Sequence, residues 1–383
     1  MPRLIAAFRR LRRSKGPSDR LTREELELVA RGVRRLSEGL TRGRPLAGQS
    51  YLDHPSLLGA YLLYFWPVSY AQAAEVLREL GNRPRAALDI ASGPGPMAMA
   101  ALDAGASEVT ALDRSERALG LARELAGSIG RSLTTRLWDA SRGDGLPGGG
   151  QAWSLVTVGH GLNELWSDAE DRVERRARLC EALAGRLRKG GALVLIEPAL
   201  RPTTRELLEV RDAMVGRGFA VRAPCLFPGG CPALEREVDW CHAQRAWHPP
   251  EALSDIISAA GLHKDALKMS YLVLAPKGEP WPSVGLESRQ GGDTRLFRVV
   301  SETFEGHQRR RVIGCGPEGR LPIARSDGAR SEANATFDRL ERGDLFALDG
   351  AMPAAAGDGI KIIESTQVRL VAEAGEPFER QRI

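Results

Sequence analysis

The feature that most constrains this chain is an alternation of apolar runs with amphipathic stretches over residues 84–200. Runs at 86–90, 108–112, 133–137, 154–158 and 192–196 are short, apolar and suited to strands. Helical periodicity fills the gaps, at 115–129 and again at 168–188, where Lys189-Gly190-Gly191 marks the expected stop. Repeated strand–helix units imply a parallel sheet with right-handed crossovers, so the predicted fold class is α/β. Both flanks read differently. Residues 1–80 are predicted helical, with an amphipathic segment at 24–40 opened by a Thr22/Glu25 capping box and a second at 69–80. Residues 201–280 add helices at 203–215 and 251–260, a Pro-, Cys- and Trp-rich stretch, and a strand at 269–275. Beyond residue 285, Gly and Pro separate short β-like runs at 296–300, 310–313, 359–364 and 368–372. The predicted organisation is an N-terminal helical region (1–80), a sheet domain (81–280) with a cysteine-rich insertion (224–248), and a small β-rich domain (285–383). Residues 327–335 read as a polar, mobile loop.

The clearest chemistry lies in the segment LDIASGPGPMAMAALDAGASEVTALD. Gly93-Pro94-Gly95 follows a strand and opens a helix, so its backbone N–H groups can face a ligand with no side chain between. Asp113 ends the next strand, 20 residues past Gly93, where a carboxylate can accept from both ribose hydroxyls. This pattern fits a dinucleotide as well as S-adenosylmethionine. Three details resemble class I methyltransferases and favour the latter. Asp89 lies inside the first strand, where the resemblance implies an acid near the methionine amino group. Asp139, in LWDA, suits the adenine edge, and LRKGGALVLIEP resembles the helix-to-fifth-strand signature. Ala91, Ser92, Gly93 and Gly95 are then expected cofactor-loop residues. Ala91 stands where the pattern has its first Gly, and Ala tolerates positive φ poorly. The expected fold is thus a Rossmann-like class I methyltransferase sheet. At the tip of the fourth strand, LVTVGHGLNEL supplies His160, Asn163 and Glu164. His160 is the candidate base and Asn163 and Glu164 are candidate pocket residues. A polar loop residue or helix cap is the commoner fate of a lone His. Neither an Asn/Asp-Pro-Pro-aromatic motif nor a Cys stands at this tip.

Five cysteines occur, an odd number without an export signal, so a disulfide framework is not expected. Cys225, Cys231 and Cys241 cluster within 17 residues as C-x5-C-x9-C. Cys315, flanked by Gly314 and Gly316, is the best fourth ligand, with His242 and His248 as alternatives that favour zinc. Four thiolates suit zinc or an iron–sulfur cluster. Cys180 sits among leucines and reads as a buried, inert thiol.

This combination resembles the methyltransferase-like proteins of the mitochondrial small ribosomal subunit and their bacterial relatives. The resemblance rests on Pro224-Cys225, Cys231-Pro232, Asp239-Trp240-Cys241-His242, Cys315 and Arg342-Gly343-Asp344, with Pro67 to Ala71 fitting as well. It implies a four-iron (4Fe-4S) cluster on Cys225, Cys231, Cys241 and Cys315, and binding to small-subunit ribosomal RNA during assembly. It leaves methyl transfer or a non-catalytic assembly role open. A zinc-stapled methyltransferase of a small molecule or protein is the third reading.

Composition bounds the partners. The chain has 54 basic and 49 acidic residues, a net charge of +5, so an RNA site is expected as local patches. The patches are Arg9, Arg10, Arg12, Arg13 and Lys15, read as a fraying basic helix, and Arg309, Arg310 and Arg311. The basic residues are 48 Arg and 6 Lys, which points to a GC-rich bacterial source. The longest apolar run, 57–68, is too short for a membrane span. A cytoplasmic monomer is expected, or a mitochondrial matrix protein if the source is eukaryotic.

Overall fold

The computed structural model describes residues 1–81, 83–143, 145–147, 150–282, 294–354 and 359–377. Four helices come first: α1 (Pro2–Arg12), α2 (Arg23–Thr41), α3 (Pro55–Ala60) and α4 (Trp66–Leu80), with a π-helical turn at Tyr61–Phe65 joining the last two. The α/β body follows in the order β1 (Ala86–Ile90), α5 (Pro96–Asp103), β2 (Glu108–Asp113), α6 (Glu116–Gly127), β3 (Thr134–Leu137), β4 (Trp153–Gly159), α7 (Arg172–Ala184), β5 (Leu187–Pro198), α8 (Arg201–Gly216), β6 (Val221–Ala223), β7 (Ala243–Ala246), α9 (Glu251–Ala259) and β8 (Ala266–Leu274).

The sheet order is β3-β2-β1-β4-β5-β8-β6, with β7 paired to β8. β3, β2, β1, β4 and β5 are mutually parallel, and β8 runs antiparallel to β5. The fold is therefore a Rossmann-like α/β fold with a mixed sheet, in which β8 runs antiparallel between β5 and the short strands β6 and β7. β1 is buried along its whole length, as a central strand covered on both faces must be. Ala86, Leu88 and Ile90 join one core with Ala177, Leu183, Leu207 and Val210 of α7 and α8. Ala87 joins the other core, which also holds Leu4, Ile5, Phe8, Val29, Val33 and Leu36 from α1 and α2. The N-terminal helices thus share a core with the sheet.

Several expectations need correction. The first helix does not fray: Leu4, Ile5, Ala7 and Phe8 are buried, and so is Arg9. The helix expected at 168–188 spans only Arg172–Ala184. Lys189-Gly190-Gly191 lies inside β5, where an irregularity pairs Trp153 with Leu187 but Leu155 with Ala192. Gly191 tolerates this because a Cβ there would meet the Arg188 and Trp153 carbonyl oxygens at 2.9 and 3.1 Å.

The C-terminal strands are β9 (Arg295–Val299), β10 (Phe304–Gly306), β11 (Arg309–Gly316), β12 (Gly319–Ser326), β13 (Leu345–Asp349), β14 (Met352–Pro353), β15 (Ile360–Ile362) and β16 (Gln367–Ala372). They form a second sheet, β14-β15-β12-β11-β9-β13-β16, with β10 on β11. The expected start of this unit, residues 285–293, lies outside the described residues. The stretch read as a mobile loop is instead two 3-10 turns, Asp327–Ala329 and Glu332–Arg339. Asn334 ties it down from a fully buried position, donating to the Ala329 carbonyl at 2.9 Å and accepting from Arg325 at 3.0 Å. Among the described residues, no helix is long and apolar enough to cross a membrane.

Candidate functional site

The glycine loop begins where β1 ends. Ala91, Gly93 and Gly95 have φ of +51°, +53° and +78°. The Ala91 methyl is accommodated by Gly161 across the loop, where an added Cβ would come within 2.7 Å of it. The Gly93 N–H donates to Asp113 at 2.7 Å and the Ser115 N–H donates to its other oxygen at 2.8 Å. Asp113 thus braces the loop against the start of α6. Trp66 Nε1 donates to the Pro94 carbonyl at 2.9 Å, fastening α4 to the same loop.

Asp89 lies inside β1, as expected. It is buried, accepts from Thr157 Oγ1 at 2.7 Å and from the Ala98 N–H at 3.1 Å, and is absent from the cavity wall. It ties β1 to β4 and to the start of α5. Burial pushes its carboxyl up to about 7. Ser92 and Gly95 are likewise outside the wall, whereas Ala91, Gly93, Asp113, Asp139, His160, Asn163 and Glu164 line it.

That cavity measures about 680 Å³, within the range of small-molecule sites. It opens at the carboxyl ends of β1, β2 and β4, where the strand order reverses and α/β sheets bind ligands. Asp139 accepts from Ser141 N at 3.0 Å and Oγ at 2.6 Å. Burial alone would raise its carboxyl, but those bonds and the charges of Arg114 and Arg142 hold it below the usual range. Glu164 accepts from the Gly48 N–H at 3.1 Å and Tyr51 OH at 3.0 Å, and burial pushes it up. Asn163 donates to Glu197, which burial raises to about 8.

His160 is a poor base. Burial and nearby Lys264 push it down to about 4, so it is neutral near pH 7. Its Nε2 lies 2.8 Å from Gln72 Oε1, and Gln72 Nε2 donates to the Lys268 carbonyl at 3.0 Å. The network assigns the proton to Nε2 and leaves Nδ1 as an acceptor. His160 and Trp166, both in the wall, share Ala91's positive φ, at +59° and +54°. Strained backbone of this kind gathers at functional sites.

Sequence reasoning missed the roof and one end of this cavity. Residues 47–53 cover it, held by Arg114, whose guanidinium donates to the Gly48 and Gln49 carbonyls at 2.8 and 2.5 Å. Tyr61, Tyr64, Phe65, Lys264 and Lys268 also line the cavity. The density of aromatics in 51–70 was the available signal.

The four cysteines of the expected set come together. Cys225, Cys231, Cys241 and Cys315 line one cavity of about 60 Å³ with Arg211, Arg298 and Arg320. Three come from the irregular stretch between β6 and β7, and Cys315 comes from β11 of the second sheet. Arg205 and Arg211 of α8 hold that stretch by donating to the Asp239 carbonyl at 2.7 Å and the Phe227 carbonyl at 2.8 Å. Burial raises all four thiols, Cys231 to about 12, and neighbouring thiols push Cys231 and Cys315 further. Arg211 Nε and Arg298 Nη2 are buried in these walls without a hydrogen-bond partner among the described residues. Among the described residues, no group of three or more His, Cys, Asp or Glu is arranged to hold a single metal ion. His242 stacks on Trp240 at 4.3 Å. Cys180 is fully buried elsewhere, as expected of an inert thiol, and burial pushes it up to about 12.

The basic patches are partly spent. Arg9 is buried against Glu25 at 2.7 Å, Arg10 pairs with Glu124, and Arg310 pairs with Glu305 at 2.7 Å. Arg12, Arg13, Lys15, Arg309 and Arg311 remain exposed.

Comparisons with known proteins place this geometry. Among curated proteins none matches the chain in sequence. Solved structures similar to parts of it include an S-adenosylmethionine-dependent methyltransferase from Clostridium acetobutylicum (18% identity, 37% of this chain, 54% of that one, TM-score 0.30). Others are a putative RNA methyltransferase from Pyrococcus horikoshii (12%, 55% and 84%, TM-score 0.35) and TrmN from Thermus thermophilus (22%, 56% and 53%, TM-score 0.34). The chain spans about half the length of the first and last of these. The family model described as mitochondrial small ribosomal subunit Rsm22 matches residues 56–324, from α3 through β12 and across all four clustered cysteines. The match covers well over half of the chain, which therefore belongs to the mitochondrial small ribosomal subunit Rsm22 family.

Proposed function

We propose that this protein binds S-adenosylmethionine and acts on small-subunit ribosomal RNA or the immature small ribosomal subunit. The observation that carries the reading is the large cavity at the sheet's switch point, walled by Gly93, Asp113 and Asp139. When bound, the cofactor supplies an electrophilic methyl group on a sulfonium. The chain's residues do the rest. Asp113 and Asp139 accept from hydroxyl and amino groups, the Gly93 turn admits close backbone approach, and residues 47–53 exclude water. Family membership supports the ribosomal partner. The test is label transfer from methyl-labelled cofactor to immature small subunits. Wild type is expected to label them, and Asp113→Ala to reduce labelling at least tenfold; equal labelling by both contradicts the assignment of the pocket.

We propose further that Cys225, Cys231, Cys241 and Cys315, which line one cavity, hold a four-iron cluster. Thiols set around a space suit a cluster, and Arg211, Arg298 and Arg320 suit its negative charge. When bound, such a group crosslinks the two sheets, a structural role that needs no electron transfer. Zinc on the same thiols is the alternative.

One observation favours a second reading, an assembly factor that binds RNA without methylating it. His160, the candidate base, is held neutral with its acid form reached only near pH 4. This reading predicts subunit binding that survives Asp113→Ala with no label transfer by either protein.

A further inference from the structure

The large cavity has two ends of opposite sign. Asp113 and Asp139 stand at the tips of β2 and β3. Lys264 and Lys268 stand at the start of β8, which pairs with the carboxyl end of β5 through Pro198 and Met269. Four strand spacings separate β2 from β8, about 19 Å across the sheet. The cofactor-binding residues proposed above occupy the first end only.

The second end carries a cationic pair. Lys264 is half-buried and makes no ion pair among the described residues; burial and nearby Lys268 push its ammonium down, and Asp265 pushes it up. Lys268 is exposed and has only a loose pair with Asp265 at 3.9 Å. Two neighbouring ammonium groups sharing one carboxylate leave room for an anion. Facing the same cavity, the π-helical turn presents Tyr61, Tyr64 and Phe65. Tyr61 and Phe65 lie nearly parallel at 5.6 Å, and Tyr64 meets Phe65 edge-on at 4.8 Å. Aromatic rings in the same cavity as phosphate-seeking cations are the chemistry that recognises a nucleotide.

We propose that this end receives a single nucleotide of RNA, its base against Tyr64 and Phe65 and its phosphate on Lys264 and Lys268. The proposal rests on the function proposed above and deepens it by naming the acceptor's seat. His160 Nδ1, an acceptor in the same wall, offers a hydrogen bond to a base N–H.

The test uses the full chain saturated with adenosylhomocysteine, so that no nucleotide occupies the cofactor end. A labelled single-stranded RNA is titrated by fluorescence anisotropy, with nucleoside 5′-monophosphates and inorganic phosphate as competitors. The proposal expects monophosphates to displace the RNA. Lys264→Ala with Lys268→Ala should weaken RNA binding at least tenfold and shrink the log–log salt slope by about one to two. Phe65→Ala should weaken the monophosphates about tenfold and leave inorganic phosphate unchanged. Adenosylhomocysteine affinity should stay within about twofold in the lysine variant. RNA binding that the lysine variant leaves intact overturns the proposal. So does a matching loss of adenosylhomocysteine affinity, which would assign the lysines to the cofactor. Monophosphate binding without any RNA binding also overturns it, since the seat would then serve a free nucleotide. Failure of the wild type to bind adenosylhomocysteine counts against the cofactor reading alone, because nucleotide binding is measured separately.

Discussion

Ala91 shows how a single residue is read correctly and still incompletely. Its departure from glycine was visible, and its φ is indeed positive. What the sequence hid is Gly161, 70 positions away, which leaves room for the methyl. Asp89 is the mirror case: its position inside β1 was evident, but not that Thr157 and the Ala98 N–H each bond one of its oxygens. Its chemistry predicts a pH effect. Burial pushes Asp89 up to about 7 and Glu197 up to about 8. Both folded values exceed the unfolded ones, so the folded chain holds protons that the unfolded chain has released. Their contribution is full below the unfolded pKa and lost as pH rises through the folded pKa. His160, pushed down to about 4, acts oppositely and only below about pH 6.5. Thermal stability is therefore expected to fall as pH rises toward about 8, a loss that starts near the unfolded carboxylate range and shows most clearly above about pH 6.5, where His160 no longer offsets it. Asp89→Asn, which mimics the protonated acid, should flatten part of that fall in a melting series. A stability that climbs over this window, or an unchanged slope in the variant, goes against the assigned burial.

At the scale of elements, strand positions were the most legible part, because period and apolar content define them locally. β1, β2, β3 and β4 each lie within two residues of expectation. Helix ends were less so, since the irregular start of β5 depends on pairing with Trp153 rather than on local propensity. The first helix misled most. A run of arginines reads as solvated, yet Arg9 faces inward and meets Glu25 through two bonds of 2.7 and 2.9 Å. Glu25 also caps α2, so this pair fastens α1 to α2. Arg9→Ala strands a buried carboxylate and should cost about 3–5 kcal/mol by denaturant unfolding. A variant of unaltered stability that loses RNA affinity would restore the surface reading of Arg9.

For the whole molecule, the joining of the two sheets was anticipated through the cysteine pattern, while the cavity's roof and aromatic lining were not. Residues 47–53 and 61–65 reach the site only through long-range packing, which no local pattern encodes. Arg298 of β9 donates to the Pro224 carbonyl at 2.8 Å, and Arg320 of β12 reaches the Trp240 carbonyl at 3.4 Å. Cys315 thus approaches the other thiols across a prepared interface. Anaerobically purified protein is expected to carry about four iron and four sulfide per chain. Cys315→Ser should lose most of both and become more sensitive to proteolysis between the sheets. One zinc without sulfide would keep the clamp and replace the cluster, and no metal would remove both.

The central claim is that the cavity at the sheet's switch point holds the cofactor. Calorimetric titration of the purified chain with adenosylhomocysteine tests it most directly. One site per chain is predicted, with affinity falling at least tenfold in Asp113→Ala, about 1.4 kcal/mol. Absence of binding to the wild type, or equal binding by both proteins, would contradict it.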